Sequence, residues 1–154
     1  MHPCLTSFSG GPVQDRYFWP KYGKGPFSTV KAFHDWIFAA ATSHPPESDG
    51  PIEALDHPDG FRDMLPDNCD VFFAHADLTE TNIMVSGQPG SYRVSGIIDW
   101  EQSGWYPMYW EFCKMTGSLL WEEEDWPSKV ADAPTKEVDF VVSEYRMWRN
   151  GWTE

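Results

Sequence analysis

His75-Ala76-Asp77-Leu78-Thr79-Glu80-Thr81-Asn82 is the stretch on which the reading of this chain turns. An apolar run of strand length, Val71-Phe72-Phe73-Ala74, leads into it, and a second, Asn82-Ile83-Met84-Val85, leads out. A third run, Tyr92 to Ile98, comes after Gly87-Gln88-Pro89-Gly90 and ends on Asp99-Trp100-Glu101. Short apolar runs bounded by Gly and Pro read as strands, and two of them across such a turn read as a hairpin. The loop therefore lies between two strands, and the hairpin brings Asp99 back beside Asn82.

The spacing H-x-D-L-x-x-x-N is that of a phosphotransferase catalytic loop. Phosphoryl transfer needs a carboxylate beside the acceptor hydroxyl, to orient it and take its proton. It also needs Mg²⁺ on the phosphates, held by hard oxygens such as Asp carboxylate and Asn carbonyl. On this reading Asp77 is the catalytic base, and Asn82 and Asp99 are the metal and nucleotide-phosphate ligands. His75 belongs to the same catalytic loop, its ring bonding backbone around it. The bland alternative is that Asp and Asn merely start and stop turns at strand ends. Three such residues in register, beside a His and between apolar strands, favour chemistry.

Outward from this centre the chain reads as one mixed α+β domain over residues 1–154, with the catalytic and metal region at 70–107. Residues 1–27 are rich in Gly, Pro and aromatics without a period, which predicts an ordered loop that packs through its rings. Ser28 reads as the N-cap of a helix with Val30, Phe33, Ile37, Ala40 and Ala41 on one face. A short helix is expected around Ile52 to Met64, a buried helix from Trp110 to Trp121, and a closing helix from Thr135 to Trp148. Glu122 to Asp125 reads as a solvated acidic run.

Composition narrows the function. Of 154 residues, 11 are Lys or Arg and 24 Asp or Glu, for a net charge of −13. A nucleic-acid binder needs a basic face and an anionic membrane repels this chain, so both are excluded as partners. Cationic ligands are attracted instead. Cys4, Cys69 and Cys113 form no pair at metal or disulfide-framework spacing. No leader-like apolar run and no eighteen-residue apolar stretch occurs, so a cytoplasmic protein is expected.

His75 to Glu111, reading HADLTETNIMV…VSGIIDWEQSGWYPMYWE, resembles the aminoglycoside phosphotransferase (choline/ethanolamine-kinase-like) family, especially its fungal members. That family has a HGDLxxxN loop, an IDWE or IDFE strand end, and a Gly-x-x-Pro turn, which Gly104-Trp105-Tyr106-Pro107 matches. The Gly11-Pro12 and Gly25-Pro26-Phe27-Ser28 segments also look like the stretch before the family's loop. The resemblance implies a protein-kinase-like C-terminal lobe, mostly helical, with a small strand region carrying the catalytic loop. It further implies ATP and Mg²⁺ as cofactors and a small-molecule hydroxyl as acceptor. Ala76 departs from the family's usual Gly, and a β-carbon strains any positive φ there. Nothing before Asp77 reads as the N-terminal lobe's Gly-rich loop or strand Lys, so that lobe is expected to be absent or supplied by a partner or a second copy.

The acceptor side is read from rings and acids. Trp105 and Tyr106, just past the metal Asp, are the expected pocket pair among aromatics that otherwise belong to a core. Glu101 either meets a cationic acceptor or pairs locally, while Glu111 is expected to face solvent or a buried Arg. His34 is expected to be a satisfied helix residue. Three functions follow as expectations: an ATP/Mg²⁺-dependent phosphotransferase, an inactive lobe serving as an interaction module, or a lobe using Asp77 and His75 as an acid–base pair in non-kinase chemistry.

Overall fold

The computed structural model of the chain describes residues 4–16, 25–42 and 62–116. Helix α1 spans Val30–Thr42, strands β1 to β4 span Val71–Ala74, Ile83–Ser86, Arg93–Ile97 and Gly104–Pro107, and helix α2 spans Trp110–Thr116. Most of the helix expected at 52–64 lies outside the described residues, leaving a 3₁₀ turn at Arg62–Met64. The remainder of the 110–121 helix and all of the 135–148 helix lie outside them too. Among the described residues no helix is long and apolar enough to cross a membrane.

Helix α1 begins one residue later than its expected cap. Thr29 Oγ1, rather than Ser28, accepts the Ala32 N–H at 3.1 Å, closing the first turn. Val30, Phe33 and Ile37 are buried as the spacing predicts, Phe38 is buried beside them, and the side chains of Ala40 and Ala41 lie outside the described residues.

Two antiparallel sheets carry the rest. Strands β2 and β3 make the expected hairpin, with Ile83 opposite Ile97 and Ser86 opposite Arg93. At Gly87, φ is 127° and a β-carbon would lie 2.5 Å from the Ser91 carbonyl oxygen, so the turn closes only around glycine. The second sheet corrects the sequence reading. Gly104–Pro107 is not a turn but β4, antiparallel to β1 with Phe73 opposite Trp105 and Ala74 opposite Gly104.

The N-terminal segment extends that sheet on its other side. Trp105 N–H donates to Thr6 O at 2.8 Å and Phe8 N–H to Ser103 O at 2.9 Å. Leu5 and Phe27 exchange backbone hydrogen bonds at 2.9 Å, tying this edge to the entry of α1. Backbone pairing and the buried Leu5 and Val13 hold the segment, whereas the ring of Phe8 is exposed. Ring packing of the kind expected over residues 1–27 occurs at Phe27, against Phe33 and Trp36 at 5.5 Å each, and at Phe8, edge-on to Phe73 at 6.2 Å, while residues 1–3 and 17–24 lie outside the described residues.

The core lies where α1, β4 and α2 meet. Phe33 packs edge-on to Trp110 with centroids 5.3 Å apart, and Tyr106 stacks on Trp110 at 5.7 Å. Burying rings this large supplies most of the hydrophobic stabilisation in a domain with few aliphatic residues.

Candidate active site

The loop after β1 is fastened from three directions. Glu111, on α2, turns Oε2 onto the loop and accepts the N–H groups of His75 (2.6 Å) and Ala76 (3.2 Å). Among the described residues Glu111 thus pairs with backbone N–H groups rather than with an Arg, a role that was missed in the sequence. No spacing rule links residue 111 to residue 75, because β4 alone brings α2 under the loop. The His75 ring is the second fastening: Nδ1 accepts the Asp77 N–H at 3.2 Å, which leaves the proton on Nε2 to be donated to Ile98 O at 2.9 Å. That second bond spans from the loop to the residue before Asp99. Both ring nitrogens are engaged inside the chain, so His75 is placed as a positioning residue.

Asn82 is the third fastening. Its Nδ2 donates to Asp77 O at 2.9 Å and lies 3.4 Å from Asp77 Oδ2. The backbone closes the same turn, from Thr79 N–H to Asp77 O at 2.9 Å and from Asn82 N–H to Thr79 O at 3.0 Å. Asp99 arrives from the hairpin, since Ile98 N–H donates to Asn82 O at 3.0 Å and sets the end of β3 beside the loop. Asp77, Asn82 and Asp99 are therefore brought together as the spacing predicts.

Among the described residues two carry a positive φ without being glycine: Ala76 at 62° and Asp99 at 63°. Asp enters this left-handed region readily, whereas an Ala there is strained. The strain at Ala76 is met by the Glu111 carboxylate and by complete burial of its methyl group.

The side chains expected around the acceptor divide. Tyr106 is 0% exposed, donates its hydroxyl to Gln102 O at 2.9 Å, and is a core ring, which corrects its assignment to a pocket. Its phenol is held far above the ordinary range by burial, then by the charge of Asp15. Trp105, its neighbour on β4, is 39% exposed and packs on Phe73 at 5.7 Å, next to Trp100. Consecutive strand residues face opposite sides, so the two rings cannot share a pocket wall. Glu101 pairs with Arg16. Arg16, also missed in the sequence, lies 4.0 Å from Asp99 Oδ2 and is held more firmly protonated than an ordinary guanidinium by the Glu101 hydrogen bond, with Asp77 and Asp99 adding charge.

The donor set suits Mg²⁺. With Asn82 Nδ2 turned onto Asp77, its amide oxygen and the Asp99 carboxylate are the hard oxygens on offer. Among the described residues no group of three or more His, Cys, Asp or Glu could hold a metal alone.

Two small antiparallel sheets with helices against them are consistent with part of a kinase-like fold, and the loop and hairpin chemistry is that of a phosphotransferase. The chain belongs to the phosphotransferase enzyme family (APH), whose model matches residues 24–137. No curated protein and no solved structure gives a significant match.

Proposed function

We propose that the chain carries the catalytic loop of an Mg²⁺-dependent phosphotransferase that moves the γ-phosphoryl group of ATP to a hydroxyl of a small molecule. The observation that carries this reading is the grouping of Asp77, Asn82 and Asp99 by one loop and one hairpin. Asp77 orients the acceptor hydroxyl and takes its proton as the new P–O bond forms and the bond from the γ-phosphorus to the β,γ-bridging oxygen breaks, with ADP leaving. Asn82 holds the Asp77 backbone and side chain in place, and His75 fixes the loop against the strand that ends at Asp99. Asn82 Oδ1 and the Asp99 carboxylate are the groups that would hold the ion. When bound, Mg²⁺ neutralises phosphate charge and aligns the transferring group.

The net charge of −13 favours a cationic acceptor, and the half-exposed Trp100 and Trp105 offer it an aromatic surface beside the loop. A nucleotide-covering lobe, on the same polypeptide or another, completes the site, because no Gly-rich loop or strand Lys is read before Asp77. Calorimetric titration with ATP and Mg²⁺ tests the reading. Saturable, Mg²⁺-dependent heat that Asp99→Ala abolishes is expected. Asp77→Asn should retain binding and lower transfer to acceptors by about 10²- to 10⁴-fold. Binding indifferent to both Mg²⁺ and Asp99 overturns the assignment.

A further inference from the structure

We propose that Arg16 is a phosphate-binding residue of this site, held at the cleft by Glu101 and built into place by the N-terminal segment. The inference rests on the phosphotransferase reading and adds to it a cation from outside the loop and hairpin.

The backbone of Arg16 is anchored at its own N–H and through the residue before it. Asp15 before it is fully buried and accepts the Trp110 indole N–H at 2.8 Å and Lys114 Nζ at 2.7 Å. The N–H of Arg16 itself donates to Oε1 of the buried Gln102 at 2.8 Å. A surface arginine needs no such mounting. From it, the side chain runs outward to the Glu101 carboxylate and to within 4.0 Å of Asp99 Oδ2.

Charge gives the placement a purpose. Asp77, Asp99 and Glu101 together repel a polyphosphate, and the protein's net charge deepens that repulsion. Lys114, another cation near this segment, is committed to Asp15 and Gln102 beneath the surface. Arg16 is largely exposed and stands among the site carboxylates. A guanidinium carries five N–H donors in a planar fork, enough to hold a carboxylate and a phosphate together. Glu101 then aims the fork and does not contact the acceptor.

The test titrates the full chain calorimetrically with Mg²⁺-tripolyphosphate, which presents the phosphate chemistry without the base or sugar, alongside a thermal melt of each variant. Wild type should bind, and Asp99→Ala should lose the Mg²⁺-dependent part. Arg16→Ala should bind about tenfold more weakly or worse with a melting midpoint close to wild type, and Arg16→Lys, which keeps charge but not the fork, should recover part of the loss. Should Arg16→Ala not fold, the comparison of Arg16→Lys with Arg16→Gln decides, and equal affinity in that pair overturns the proposal. Wild-type affinity in Arg16→Ala, with Asp99→Ala still defective, sinks the role of Arg16 and leaves the metal assignment standing. No Mg²⁺-dependent binding by the wild-type chain sinks both.

Discussion

Ala76 shows how much a single backbone conformation bears on this site. At φ 62° its β-carbon crowds the backbone, and glycine would relieve that strain. Ala76→Gly should therefore raise stability by about 1 kcal/mol in a denaturant melt, part of the gain being offset by a freer unfolded chain. The opposite result belongs to Glu111. Its removal by Glu111→Ala strands the N–H groups of His75 and Ala76, and a loss of about 2–4 kcal/mol is expected. Among the described residues Glu111 Oε1 is buried without a hydrogen-bond partner, so Oε2 does the holding. Glu111→Gln can keep an oxygen on the loop and should lose less than the alanine variant. A larger loss in the glutamine variant, by the same melt, would show that charge rather than one acceptor fastens the loop.

At the scale of elements, β4 decides most of the geometry. The sequence reading took Gly104 and Pro107 as the ends of a turn, as Gly and Pro commonly are. In the fold Gly104 is a strand residue because the N-terminal segment crosses against it, and a β-carbon there would collide with the Thr6 carbonyl oxygen. Gly104→Ala should push that segment away and destabilise the chain by about 1–3 kcal/mol. Arg16 would be displaced with it, so weaker Mg²⁺-tripolyphosphate binding should accompany the lower melting midpoint. The β2–β3 hairpin was legible because its turn chemistry is local. The β1–β4 pairing was not, since the partners are some thirty residues apart and only packing joins them.

Across the whole molecule, one buried histidine ties three segments together. His34, on α1, donates from Nδ1 to Asp67 Oδ1 at 2.9 Å and accepts the Tyr109 hydroxyl at Nε2, 2.5 Å away. Arg62 extends the chain of contacts by bridging Asp67 and Asp35 at 2.8 Å each. Burial pushes the His34 pKa down to about 4, although the Asp67 hydrogen bond opposes the shift. An unfolded His takes its proton near pH 6.5, so between about pH 6.5 and about pH 4 the unfolded chain binds a proton that the folded one refuses. Stability should fall with acid across that window, by up to about 3 kcal/mol at its lower end. Denaturant melts at pH 7 and pH 4.5 measure it. His34→Asn should be less stable at pH 7 yet show a flatter dependence between the two.

The sequence by itself determined the parts of this protein that local rules govern. The loop from His75 to Asn82, the hairpin that returns Asp99 to it, the stripe of α1 and the family all follow from spacing, periodicity and turn residues within short stretches. Tertiary structure alone decided what holds and surrounds that loop: Glu111 beneath it, Arg16 beside it, Tyr106 withdrawn into the core while Trp105 stays at the surface. Each of those outcomes depends on β4 pairing with β1 on one side and residues 5–8 on the other. Such contacts join residues far apart in the chain, and their energy comes from burying rings and satisfying buried N–H groups, which leaves no short-range mark in the sequence.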